Sequence, residues 1–470
     1  MPESPRLAGY ATAHEARILD TLAEWLRIPS ISARPEHRAD VERSAEFAAA
    51  LLREAGLEHV AVIPTAGAPA VYGDWLHAGA GAPTVLVYGH HDVQPVDPVE
   101  AWNHPPFEPT VVGDKLFARG AVDDKGQVLY EIEAARALLE LDGELPVNLK
   151  FLVEGEEEVG SPNFERLLVE ERTRLACDVV VVSDTGMISP EVPSTDVSMR
   201  GLVAFSIRLS TASTDLHSGL FGGAVPNPIH HLARVLADLH DEELRVTIPG
   251  FYDAVQPLSP LEQASLAAQP FDPEAFRRTA GVAALEGEAG HTLLEQVGAR
   301  PTAEVVGVLG GYTEQGIKTI VPAWAEAKVT FRLVPDQSPD DISTAFESWL
   351  RARLPDHVRL DIERHGGVAP AVTPVDHWAM SALRQAIATV WGADPLFTRV
   401  GGSGPEEALG RVLDAPVLYL GVGLPDDRIH APNERIVLSQ FWRGLQAAGE
   451  LWPALAEAAA AHHEGISDGE

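Results

Sequence analysis

Residues 83–95, PTVLVYGHHDVQP, decide the fold. The run from Val85 to Tyr88 is apolar without alternation and is bounded by Pro83 and Gly89, so it reads as a strand buried on both faces. Such a strand belongs in a parallel sheet covered by helices on either side. His90 and Asp92 follow its carboxyl end. Spaced i and i+2, their side chains point the same way, while His91 points to the other face.

Three further apolar runs end in the same manner. LKFLVEG (149–155) leads into Glu156, Glu157 and Glu158, DVVVVS (178–183) leads into Asp184, and APVLYLGVG (415–423) comes shortly before His430. RGAVDDKG (119–126) adds Asp123 and Asp124 ahead of a helix starting near Lys125. Ligands of open α/β sheets bind outside the carboxyl ends of the strands. These carboxylates and histidines, all residue types that bind divalent metals, can therefore converge on one point. Taken singly, each has an ordinary explanation: an N-cap for one of the two aspartates, a solvated run for the glutamates, an exposed loop for His430. Asp184 is the hardest to explain in that way, since a carboxylate after four valines would otherwise be buried and unpaired.

Outward from these segments, strands and helices alternate. A helical stripe of Ile18, Leu19, Leu22, Trp25 and Leu26 stops at Pro29; strand 84–88, a helix over about 125–141 closed by Gly143, strand 147–153 and strand 178–183 follow. Near Arg200 the pattern changes. LVAFSIRLS (202–210) alternates like a half-buried antiparallel strand, a helix follows at 228–239, then TIVPAWAEAKVTFRLVP (319–335), a helix at 340–353 and VRLDIER (358–364). Helix 375–391 and strand 416–421 restore the first rhythm. The expected organisation is thus a domain in two parts, residues 1–197 and 371–470, with a second domain, 198–370, inserted. Residues 240–300 carry no legible motif, and the polar tail from His462 is expected to fray.

Composition narrows the function. Acidic residues outnumber basic ones 69 to 35, so the long-range field disfavours nucleic acid and anionic membranes as partners. Cys177 is the only cysteine, which fits a reducing compartment. No apolar leader segment and no uninterrupted apolar run of about eighteen residues occurs. A soluble, cytoplasmic protein is expected.

The blocks EWLRIPSIS (24–32), GHHDVQP, RGAVDDKG, the glutamate triplet, TDLHSG (214–219), KTIVP (318–322), FRLVP (331–335), GGSGP (401–405) and HAPNE (430–434) occur in an order that resembles the two-metal aminoacylase and carnosinase peptidase family, in its dipeptidase branch. The resemblance runs almost end to end. It implies an α/β/α catalytic domain with a mostly parallel, zinc-peptidase-like sheet and an inserted α+β, ferredoxin-like lid and dimerisation domain. It also implies two divalent metal ions per subunit. His90, Asp123 and Asp184 would hold one and Asp123, Glu158 and His430 the other, with Asp123 bridging. Three carboxylates offset three of the four positive charges. Mixed N/O ligation suits Zn²⁺ and also admits Mn²⁺ or Co²⁺. Asp92 would orient His90, and Glu157 would be the general base. Of the three glutamates ahead of Gly160–Ser161, the resemblance places the family's pair on Glu157 and Glu158 and leaves Glu156 as a neighbour. In similar enzymes the peptide bond after the bridging aspartate is cis.

Substrate recognition, on the same resemblance, falls to the inserted domain and one glycine-rich loop. His217 would act on the oxyanion in the partner subunit's site of a homodimer, Arg332 would fork onto the substrate's terminal carboxylate, and Thr319 and Ser403 would add hydrogen bonds. The expected activity is hydrolysis of the amide bond of dipeptides or similar N-acyl amino acids bearing a free carboxylate. An N-acyl-amino-acid amidohydrolase is the alternative within the family, and a non-catalytic metal-binding scaffold is the alternative outside it; the complete ligand set and Glu157 speak against the scaffold.

Overall fold

The computed structural model describes residues 4–467, with backbone alone for 465–467. Contacts divide the chain into two units: Met1–Val197 with Thr373–Thr398 and Pro405–Glu470, and Ser198–Val372 with Arg399–Gly404. The loop Arg399–Gly404 groups with the second unit, apart from the residues on either side of it.

The first unit is built on a six-stranded sheet. Its strands are β1 (Glu58–Ile63), β2 (Ala70–Trp75), β3 (Thr84–His90), β4 (Asn148–Glu154) and β5 (Val179–Val182), completed by Val417–Tyr419 near the chain's end. The order is β1-β2-β4-β3-β5 and then Val417–Tyr419. β3 runs parallel to both β4 and β5, and Val417–Tyr419 runs parallel to β5, whereas β2 is antiparallel to its two neighbours. The unbroken apolar run of β3 has the cause expected of it: Val85 to Tyr88 are buried on both faces. One face meets helix Lys125–Asp142, where a Cβ at Gly89 would touch Val128, and helix Arg38–Glu54, where one at Gly73 would touch Leu52. On the other face Tyr88 tilts against Phe164 of helix Phe164–Glu170, which packs with helix Glu406–Leu413. This is the expected α/β/α arrangement.

The second unit is a four-stranded antiparallel sheet. Gly201–Ser210, Thr302–Gly310, Trp324–Leu333 and Arg359–Val368 alternate with helices Pro228–Ala237 and Pro339–Arg353 in the order strand-helix-strand-strand-helix-strand. Trp324–Leu333 and Gly201–Ser210 are central, and Thr302–Gly310 and Arg359–Val368 are the edges. That is the ferredoxin-like order. Phe205, Phe331 and Phe346 form its core, with ring centroids 4.9 to 6.0 Å apart. Residues 240–300 contribute helices Pro260–Ala268 and Pro273–Ala280 and a π-helical turn at Glu295–Ala299.

Two expectations change. Strand Thr302–Gly310 was not foreseen, and the expected fraying from His462 gives way to a helix, Leu438–Ser467, that continues through it; residues 468–470 lie outside the described residues. No helix among the described residues is long and apolar enough to cross a membrane.

Candidate metal centre

The carboxyl ends of β3, β4 and β5 bring the foreseen residues together. His90 is the last residue of β3, the glutamate triplet follows β4 in a tight turn, and Asp184 stands two residues beyond β5. His430 arrives on the loop after Val417–Tyr419, at a left-handed φ of 60°. Asp123 lies between the two imidazoles. Its Oδ1 is 2.9 Å from His90 Nε2 and its Oδ2 is 3.0 Å from His430 Nε2. His90 Nε2 is also 3.5 Å from Asp184 Oδ2, and His430 Nε2 is 3.1 Å from Glu158 Oε2. Ligand atoms of His90, Asp123 and Glu158 lie within 4.8 Å of one another, as do those of His90, Glu157 and Asp184.

Electrostatics shows what this cluster lacks. Burial carries Glu157 up to about 9, and the nearby carboxylates of Asp184, Glu158 and Asp123 add to the rise against His90. Glu158 rises for the same reasons, burial first and Asp123 next. Burial also pushes Asp123 upward, but the hydrogen bonds from His430 and His90 hold it well below the usual carboxylate range. His430 is carried up to about 10 by Asp123 and Glu158. His90 is pulled down by burial, yet Asp123, Asp184 and Asp92 raise it well above its ordinary value. Among the described residues of this cluster, two imidazoles thus face five carboxylates, those of Asp92, Asp123, Glu157, Glu158 and Asp184. Divalent cations fit such a donor set in both charge and chemistry.

The three glutamates of the triplet have different surroundings. Glu156 turns away, with Oε2 accepting from Asn163 at 2.8 Å, and its carboxylate occupies the space a Cβ at Gly67 would need. Asp92 accepts from the backbone N–H groups of Glu157 and Glu158 at 3.3 and 3.1 Å. It also places Oδ1 3.4 Å from His90 Nδ1, while its carbonyl oxygen lies 3.1 Å from the same nitrogen. Asp92 thus contacts both the imidazole of His90 and the glutamate turn. His91, on the other face, has Nε2 3.0 Å from the Pro69 carbonyl oxygen.

Several supports were missed in the sequence. Glu434 is fully buried and accepts from Arg119 Nη1 at 2.6 Å and from the N–H groups of Gly120, Val122 and Asp123 at 3.0, 3.1 and 3.2 Å. It ties the loop of His430 to the loop of Asp123. Gln94 Nε2 donates to Glu158 Oε2 at 2.7 Å. Asp124 occupies the N-cap position, but its side chain does not cap; Oδ2 accepts from His90 N at 3.1 Å. The peptide bond Asp123–Asp124 is cis.

Arg332, Ser403, Thr319 and His217 belong to the second unit. Arg332 Nη1 donates to Ser403 Oγ at 2.9 Å, and that hydroxyl donates to the Arg200 carbonyl at 2.5 Å. His217 pairs with Ile320 across a short antiparallel ladder, beside Thr319, whose carbonyl accepts from Ser218 N at 3.0 Å.

Glu434 supplies a test. Glu434→Ala leaves three backbone donors without their acceptor and a buried guanidinium without its carboxylate, a loss of about 3–5 kcal/mol. The variant is expected to unfold at lower temperature and to bind metal weakly, whereas Glu434→Gln, which keeps one acceptor, loses less of both. Differential scanning calorimetry and metal titration check this, and equal metal affinity in all three proteins would contradict it.

Comparison with known proteins places the chain. Residues 86–453 match the family model described as Peptidase family M20/M25/M40. The human Beta-Ala-His dipeptidase is 31% identical over 444 residues, covering 91% of this chain and 88% of the relative. A Cys-Gly metallodipeptidase of Saccharomyces cerevisiae is 29% identical over 446 residues, 90% of this chain and 92% of the relative. The crystal structure of an M20 family metallo-carboxypeptidase from Sulfolobus solfataricus superposes with a TM-score of 0.80 at 31% identity, covering 94% of this chain and 99% of that one. The chain belongs to peptidase family M20/M25/M40 and is a hydrolase.

Proposed function

We propose that the protein is a dinuclear metallopeptidase that cleaves dipeptides with a free C-terminal carboxylate. The observation carrying this reading is the position of Asp123, one oxygen toward each imidazole. His90, Asp123 and Asp184 would hold one divalent ion and Asp123, Glu158 and His430 the other, Zn²⁺ first and Mn²⁺ or Co²⁺ as alternatives. Such ions, when bound, polarise the scissile carbonyl and make water a better nucleophile. Glu157 takes the proton of the attacking water on its carboxylate and passes it to the leaving amine. Asp92 keeps the imidazole of His90 in place and Glu157 within reach.

Arg332 binds the substrate's carboxylate as a planar fork, and Ser403, hydrogen-bonded to it, sets the orientation of the guanidinium. Thr319 adds a hydrogen bond, and His217 stabilises the oxyanion in the partner subunit's site of a homodimer. Edge strand Thr302–Gly310 supports a homodimer: Val306 and Val308 are 59% and 64% exposed, and an apolar sheet edge invites pairing unless something covers it. A reducing, cytoplasmic setting suits a chain with one cysteine. The relatives named above include dipeptidases and a carboxypeptidase.

A panel of free dipeptides, acetylated amino acids and blocked longer peptides, assayed with Zn²⁺ and with Mn²⁺, separates the dipeptidase from the amidohydrolase and carboxypeptidase readings. Preferential cleavage of the free dipeptides is expected. Glu157→Gln should keep bound metal and lose roughly 10²–10⁴-fold in kcat; a larger lesion in Glu156→Gln would overturn the register.

Sharing of the site between subunits is tested by complementation. Glu157→Gln and His217→Ala homodimers should each be nearly inactive. In a mixed dimer one site carries both lesions and the other carries neither. Random exchange makes about half the dimers mixed, so activity should recover to about a quarter of wild type. Absence of recovery despite demonstrated exchange would place His217 in its own subunit's chemistry or outside it.

A further inference from the structure

Residues 240–300, mute in the sequence, wall a cavity of about 400 Å³ in the second unit, a size within the range of small-ligand sites. Phe276, Leu285, Leu293 and Val297 make its apolar lining. Strand register places it beside the substrate fork. Thr302, on the cavity wall, is the direct cross-strand partner of Arg332, and side chains of such pairs share a face of the sheet about 5 Å apart. The same wall abuts the loop that carries Ser403. Arg200 links the two, donating from Nη1 to the Arg300 carbonyl at 3.3 Å and from Nε to the Gly401 carbonyl at 3.0 Å. A Cβ at Gly401 would stand 2.6 Å from the Val297 carbonyl oxygen.

Among the residues that line the cavity carboxylates outnumber cations, with the Arg200 guanidinium within electrostatic reach of Glu304. Its guanidinium, Arg300, is neutralised by both oxygens of Glu288, at 2.8 and 2.6 Å. Glu286 and Glu304 also line the cavity, and neither makes a hydrogen bond or ion pair among the described residues. Both are exposed at its solvent side.

We infer that this cavity is the subsite for the side chain of the substrate's C-terminal residue, and that it selects a long side chain with an apolar stem and a cationic tip, as in lysine or arginine. The inference rests on the assignment of Arg332 to the substrate's carboxylate in the preceding section. With that carboxylate on Arg332, the side chain of the same residue enters beside Thr302. Its methylene groups lie against Leu285, Leu293 and Val297, and its cation stays in water between Glu286 and Glu304. A C-terminal glutamate meets like charge there and is rejected.

The test is kcat/KM of the metal-loaded protein on Ala-Lys, Ala-Arg, Ala-Leu, Ala-Ala and Ala-Glu, for the wild type and for a Glu286→Gln/Glu304→Gln double variant. The wild type is expected to prefer Ala-Lys to Ala-Glu at least about tenfold, and the double variant to lose most of that ratio through KM. Val297→Trp, which fills the cavity, should in turn penalise Ala-Lys and Ala-Leu more than Ala-Ala. An active wild type indifferent to the C-terminal residue, or a preference that survives in the double variant, overturns the subsite alone. A wild type with both metals bound that cleaves no dipeptide overturns the dipeptidase reading, and the subsite with it.

Discussion

The first unit depends on holding like charges together. Asp123 and Glu158 have ligand atoms within 4.8 Å of each other, as do Glu157 and Asp184. Burial and mutual repulsion lift the glutamates above their ordinary range. Such a cluster persists because its neighbours leave the carboxylates nowhere else to go: Glu434 fixes the backbone of the Asp123 loop, Asp92 fixes the glutamate turn, and Gln94 fixes Glu158. The strain of assembling these charges is the affinity the site offers to cations.

Parallel strands make that assembly feasible. β3, β4 and β5 are buried and in register, so their carboxyl ends lie side by side and their following residues share one rim. His90, Glu157, Glu158 and Asp184 are then positioned by a strand and one short turn. Asp123 and His430 are carried on loops, and there the buried Glu434 is the anchor that ties one loop to the other. The second unit serves a different purpose. Its antiparallel sheet places Arg332 between Leu202 and Thr302, on the sheet face opposite that of Phe331, whose side chain packs into the unit's core. A guanidinium can stand there without being desolvated in the core.

Much of this was legible because burial on two faces leaves a plain trace. Val85–Tyr88 and Val179–Val182 could be read as strands from the residues alone, and the acidic and imidazole groups after them as candidates for metal binding; their division between two metals came only with the family resemblance. Strand Thr302–Gly310 left no such trace, since at the sheet edge its valines face solvent and Gly307 breaks the run. β1 and β2 were equally silent. The work of Glu434 depends on partners more than three hundred residues away, and a glutamate after Ala-Pro-Asn reads locally as surface. The grouping of Arg399–Gly404 with the second unit is likewise a matter of tertiary contacts, among them the bidentate pair of Arg399 with Glu262 at 2.9 and 2.6 Å.

The central claim is that one carboxylate, Asp123, serves two metal positions. It is tested most directly by counting ions, with elemental analysis and calorimetric titration of the wild type and Asp123→Ala. Two ions per subunit in the wild type and the loss of both together in the variant are predicted. An Asp123→Ala protein that is folded and retains either ion at wild-type affinity would contradict the account.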